Sequence, residues 1–268
     1  KKGLQDNDGD KKDSSNLVGR KILDSEEALD HFYLNESAYT IFNKDKIHRP
    51  RNPEIYKAPY VLFKKGLDCA DYSIRAVYTE SDFLYRETIN CIKGSEKDKK
   101  TLLNLCGLLN SSLFSYFNLM LGSSTGIERE QIFLEELGNY PYVYNDELVE
   151  LVEKMQREEW GKNRNELQVA LNQCVMRMYG LQDNYFVDYA LSIQIPMLCG
   201  TYQETKCDAK TMKKYVSILS KIWDEHFGQS NVHYKITIYP DIKGKFAAVQ
   251  VKLSFTCLLY TSPSPRDR

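Results

Sequence analysis

The sequence predicts an α+β protein, and three patterns in it carry that prediction. Apolar runs of strand length cluster between residues 60 and 92, a leucine-rich helical period runs from 101 to 121, and capped helices after residue 145 lead into a two-armed β pattern. With 268 residues and 42% hydrophobic content, the chain can bury a sizeable core and is large enough for two units.

Taken in order, residues 1–16 (KKGLQDNDGDKKDSSN) contain one large apolar residue among Asp, Lys, Asn and Ser. Burial cannot offset the entropy of ordering such a segment, so a disordered lead-in is expected. Asn43 to Arg51 is polar and basic, and Pro53 and Pro59 bracket a link into Tyr60-Val61-Leu62-Phe63, the first strand, which ends at Lys64-Lys65-Gly66. Tyr72 to Tyr78 has the β-branched and aromatic content of a partner strand, and Phe83 to Ile92 continues the sheet. Thr101 opens a long buried helix in which Leu102, Leu105, Leu109, Leu113, Phe117 and Leu121 recur at helical spacing. Gly122-Ser123-Ser124-Thr125-Gly126 ends it in a polar loop.

Asn145 is expected to cap a helix through Met155, and Asn163 or Asn165 one that ends at Tyr179 with Gly180 as its stop. Asp183 can start a third. Asp208 then caps an amphipathic helix carrying Met212, Tyr215, Val216, Leu219, Ile222 and Trp223. A hairpin follows, with arms Tyr234 to Tyr239 and Phe246 to Phe255 joined around Asp241-Ile242-Lys243-Gly244. The last twelve residues, CLLYTSPSPRDR, read as an in-frame sequencing adapter abutting a truncated frame, and are set aside as a scar. The expected division is therefore a lead-in (1–16), a sheet-containing domain (17–143), a helical segment (144–199), a helix plus hairpin (200–256) and the scar (257–268).

Composition excludes several classes. The formal charge is −1, so any nucleic-acid binding must come from a local basic patch rather than a global field. Seven cysteines without a C-x-x-C pair argue against a disulfide framework or cysteine zinc site, and the absence of a secretory pattern favours the cytoplasm. Asn104, Asn110, Ser111, Ser112, Ser115 and Asn118 interrupt the most apolar stretch, so no membrane span is expected. His31, His48, His226 and His233 share no metal-ligand spacing. Nucleophile-elbow, phosphate-loop and metalloprotease-helix motifs are lacking.

The ordered combination of IYKAPYVLFKKG (Ile55 to Gly66), LLNLCGLLNSSLFSYF (Leu102 to Phe117), GSSTGIERE (Gly122 to Glu130) and IFLEELGNYPY (Ile132 to Tyr142) resembles the TaqI-like specificity region of adenine-specific DNA methyltransferases and fused restriction-modification enzymes. Cys174 to Leu191 resembles the short helical segment that follows it, so the likeness covers residues 41–195. This resemblance implies a DNA target-recognition domain of a restriction-modification system. Its partners would be double-stranded DNA and a catalytic domain lying N-terminal to this segment. That domain would hold S-adenosylmethionine and methylate a flipped-out adenine. The Asn/Asp-Pro-Pro-Tyr/Phe catalytic motif is missing here. Asn52-Pro53-Glu54-Ile55-Tyr56 is its nearest match and reads as a turn, and no glycine-rich cofactor loop is present, so no cofactor is expected in this segment.

A recognition surface needs cations for phosphates and amide or hydroxyl groups for base edges. The candidates are Arg49, Arg51, Lys64 and Lys65 around the first strand, with Ser123, Ser124, Thr125 and Arg129 in the loop after the helix. Two alternatives stay open: the specificity subunit of a multi-subunit restriction system, and a non-catalytic protein-interaction scaffold.

Overall fold

The computed structural model describes residues 2–24, 26–67, 72–124, 131–157, 163–181, 185–198, 209–227, 232–239 and 248–255. They fall into two units, Lys1–Tyr202 and Gln203–Arg268. The first unit holds strands β1 (Lys12–Asp13), β2 (Lys21–Leu23), β3 (Leu29–Asp30), β4 (Tyr33–Leu34), β5 (Tyr39–Ile41), β6 (Lys46–Ile47), β7 (Tyr60–Lys64), β8 (Ala76–Thr79), β9 (Leu84–Tyr85) and β10 (Ile89–Lys93). Helices α1 (Lys99–Leu109), α2 (Ser112–Leu121), α3 (Leu134–Leu137), α4 (Asp146–Arg157), α5 (Arg164–Met178) and α6 (Tyr185–Leu198) complete it. The mixture is α+β, as the sequence predicts.

The antiparallel sheet β10-β7-β8 divides two apolar cores. Val61, Phe63, Ala76 and Tyr78 face the helices, while Tyr60, Leu62, Val77, Ile89 and Cys91 face the N-terminal small sheets. Covering on both faces is why the strand Tyr60 to Phe63 reads as an unbroken apolar run instead of an alternating one. On the N-terminal side, β2 lies between β5 and β9, and Tyr39, Tyr60 and Phe83 pack ring against ring around it.

Three expectations are corrected. Residues 2–16 are not a disordered lead-in: Leu4 is wholly buried, its N–H donates to Tyr85 O at 2.9 Å, and β1 pairs with β6. The one large apolar residue of the segment is enough to seat it because backbone hydrogen bonds to two neighbouring segments add to its burial. The expected long helix from Thr101 is broken at Asn110-Ser111, where Ser111 adopts an extended backbone and its Oγ accepts from Phe114 N to cap α2. Asn110 turns into the sheet instead, with Oδ1 accepting from Ala76 N at 3.0 Å and Nδ2 donating to Ala76 O at 2.9 Å. Residues 144–199 are not a separate helical segment either, since Leu148, Val149, Val152, Leu171, Cys174 and Val175 share one core with α1 and β7.

Asn145 Oδ1 accepts from Glu147 N at 2.7 Å to start α4, as expected, and Gly180 follows α5 with φ of 70°. Asn163 stands at the N-terminus of α5, but its side chain makes no capping hydrogen bond. The stretch Phe83 to Ile92 is two strands, β9 and β10, parted by a turn.

The second unit contains α7 (Ala209–Phe227) and the hairpin β11 (Val232–Tyr239) with β12 (Ala248–Phe255), in register from Val232↔Phe255 to Tyr239↔Ala248. Trp223 of α7 sits edge-on to Tyr234 at 5.3 Å, and the Tyr234 hydroxyl donates to Ser220 O at 2.9 Å. The expected caps Asp183 and Asp208, the hairpin turn and the adapter-like tail lie outside the described residues. No helix among the described residues is long and apolar enough to cross a membrane.

Candidate nucleic-acid interface

The loop bearing Arg49 and Arg51 is built on a buried phenol. Tyr56 donates its hydroxyl to Pro50 O at 3.0 Å, and Tyr85 packs edge-on to its ring at 5.2 Å. Burial holds the Tyr56 phenol well above its ordinary pKa, so it stays a neutral donor to that carbonyl. Asn52 then caps a short turn, Pro53–Tyr56, with its side chain accepting from Glu54 N, so the Asn-Pro-Glu-Ile-Tyr segment is the turn the sequence implies. Arg49 is exposed, while its backbone exchanges both hydrogen bonds with Gln5 at 2.9 and 3.0 Å. Arg51 is half-buried with φ of 65°, and its Nε donates to Gly3 O at 3.1 Å. Part of the Arg51 side chain is therefore a brace for the N-terminal segment rather than a wholly exposed cation.

The second group of candidates joins the first through the backbone. Leu4 is bonded to Tyr85 and Glu87, Lys65 N donates to Thr88 O at 2.7 Å, and Ile132 N donates to Lys65 O at 2.8 Å. Gly66 forms a bridge with Gln131. Ser124 Oγ accepts from Gln131 N at 2.9 Å and donates to Gln131 O at 2.7 Å, which fixes the loop after α2 against the end of β7. Ser123 N donates to Glu136 Oε1 at 3.3 Å. Arg49, Lys65 and Ser124 thus lie on segments joined in succession by hydrogen bonds.

Charge on this line is available but not dense. Among the described residues, the side chains of Arg49, Lys64 and Lys65 make no ion pair or hydrogen bond, whereas Arg86 nearby is held by Asp24 at 2.6 Å. Lys64 is the last residue of β7 and Lys65 lies in the bend that follows it. Arg20, 6.0 Å above the Tyr56 ring, is a further cation near Arg51 that sequence reading missed. Its signal was absent because nothing in the sequence links residue 20 to residue 56. Gln5, whose backbone pairs with Arg49, was also missed, because the segment carrying it has the composition of a disordered one. Thr125 and Arg129 lie outside the described residues.

The chain matches no protein-family model and no curated protein. No group of three His, Cys, Asp or Glu suited to a metal ion occurs among the described residues.

Proposed function

We propose that this chain is the DNA target-recognition part of an adenine-specific DNA methyltransferase of a restriction-modification system, acting with a catalytic domain that supplies S-adenosylmethionine. The observation carrying the reading is the succession of Arg49, Lys65 and Ser124 on one hydrogen-bonded line, with no ion pair to either cation among the described residues. Along such a line the cations can neutralise phosphates while the Ser124 end offers small polar groups to base edges. The sequence resemblance supports the same reading.

The test is duplex-DNA binding by the full chain at several salt concentrations. Replacing Arg49, Lys64 and Lys65 by Ala together is expected to weaken binding and to lower the steepness of log K against log salt by about 0.9 for each phosphate that is no longer neutralised. An unchanged salt slope would exclude this surface. A reading frame upstream that encodes no Asn-Pro-Pro-Tyr-type motif would count against the methyltransferase context.

A second reading, a protein-interaction scaffold, is favoured by α6, where Phe186, Tyr189 and Met197 are 60%, 50% and 60% exposed. Loss of self-association or partner binding on replacing these three, with DNA binding untouched, separates it from the first.

A further inference from the structure

Three side chains far apart in sequence form a hydrogen-bonded line that the nucleic-acid surface does not use. His31 Nε2 lies 3.0 Å from Ser73 Oγ, and His31 Nδ1 lies 2.8 Å from Asn110 Oδ1. Neighbours fix the Asn110 amide: Nδ2 donates to Ala76 O at 2.9 Å and Cys106 O at 2.8 Å, and Oδ1 accepts from Ala76 N at 3.0 Å. Turning the amide over would set its NH2 group against the Ala76 N–H, so the oxygen must face His31 and Nδ1 must carry the proton. Nε2 then presents its lone pair to the Ser73 hydroxyl. That is the order of nucleophile, base and orienting group used in acyl transfer, with an amide in the third place.

The backbone supplies an independent observation. Among the described residues, the non-glycine positions with positive φ are Phe32 at 57°, Arg51 at 65° and Tyr72 at 55°. Phe32 follows His31 and Tyr72 precedes Ser73. For bulky side chains this conformation is strained and persists only where packing over-determines it. Both rings are buried in the helical-side core, at 4% and 1% exposure, so core packing holds the two strained links that aim His31 and Ser73 at each other. Both of those residues are half-buried, so the line reaches the surface. Arg164 Nη2 donates to His31 O at 3.3 Å, which ties the His31 backbone to α5.

We propose that Ser73 is the nucleophile of an acyl-transfer site, with His31 as general base and Asn110 as positioning residue, acting on carboxylic esters. Ser73 Oγ forms a bond to the acyl carbon as its proton passes to His31 Nε2. The ester C–O bond then breaks, and the leaving oxygen takes that proton to depart as the alcohol. Water adds to the acyl-Ser73 carbon while giving a proton to Nε2; collapse returns the proton to Ser73 Oγ and frees the acid. The site stands apart from the DNA-binding reading, and neither depends on the other.

The test is covalent labelling of the full chain by an alkyl fluorophosphonate, in which Ser73 Oγ displaces fluoride, followed by peptide mass spectrometry. An exposed reference is Ser192, whose hydroxyl donates to Tyr189 O. Ser73 is expected to react roughly 100-fold faster than Ser192, the acceleration a placed general base provides. His31→Gln should remove that advantage and Ser73→Ala the adduct. Hydrolysis of 4-nitrophenyl acetate by the unaltered chain is expected to exceed that by Ser73→Ala, and equal rates would overturn the proposal. Ser73 reacting no faster than Ser192 in the unaltered chain overturns the proposal, whether or not the His31 variant folds. Equal Ser73 labelling in a folded His31→Gln variant overturns it as well.

Discussion

Arg51 shows how one residue can carry opposing contributions. Its φ of 65° costs about 1–2 kcal/mol for a residue with a Cβ, while its Nε–H to Gly3 O hydrogen bond, being charge-assisted, contributes a similar amount or more. Arg51→Ala loses the bond and keeps the strain; Arg51→Gly loses the bond and relieves it. The glycine variant is therefore expected to be more stable than the alanine variant by about 1 kcal/mol in urea unfolding, and the reverse order would show that the strain is not felt. At Asp24, burial acts to raise the carboxyl pKa, but the Thr40 hydroxyl at 2.5 Å and the Arg86 guanidinium outweigh it and hold the carboxyl below its ordinary value. A depressed folded pKa means stability present above the unfolded value and lost as pH falls through the folded one. Asp24→Asn should accordingly lower Tm at about pH 7 but leave a smaller difference from the unaltered chain at about pH 3. Roles of this kind were not legible in the sequence. Asn110 sits among leucines at a helical spacing, and only the strand 34 residues earlier, which its amide grips, explains why the helix stops there.

At the scale of elements, α1 and α4 approach closely because Gly107 allows it. A Cβ at this position would lie 2.8 Å from both Leu148 Cδ1 and Val152 Cγ2, side chains that are wholly buried and cannot swing aside. Alanine would add about 1 kcal/mol of helix propensity, but overpacking a filled interface costs about 1–3 kcal/mol, so the clash is expected to win. Gly107→Ala should lower the urea midpoint without changing the m-value, and a raised midpoint would mean the helices can part at little cost. Much was readable at this scale: the strand at Tyr60, the helical period from Leu102 as far as Leu109, the Asn145 cap and the Gly180 stop all follow from local rules that tertiary contacts did not override. The Lys64-Lys65 and Ser123-Ser124 groups were also readable as candidate polar patches. Their meeting was not, since it runs through a bridge between Gly66 and Gln131 that no local pattern encodes.

For the first unit as a whole, the decisive fact is that the helices after residue 144 complete the core of the strands before it. Leu148, Val149, Val152, Leu171, Val175 and Met176 are each at least 95% buried in a cluster that also holds Val61, Phe63 and Leu103. At about 1.5–3 kcal/mol for each such side chain, their removal forfeits on the order of 10 kcal/mol, comparable with the whole stability of a typical domain, about 5–15 kcal/mol. A boundary at 143 is nonetheless what the sequence suggests, because turn and cap residues mark where the chain changes direction, while the apolar face of α4 does not say that its partner is α1. A chain ending at Val143 is therefore expected to show no cooperative urea transition and little near-ultraviolet circular dichroism, although the residues proposed to touch DNA are all still present. Cooperative unfolding of that shortened chain would mean that the N-terminal small sheets and β7 suffice by themselves.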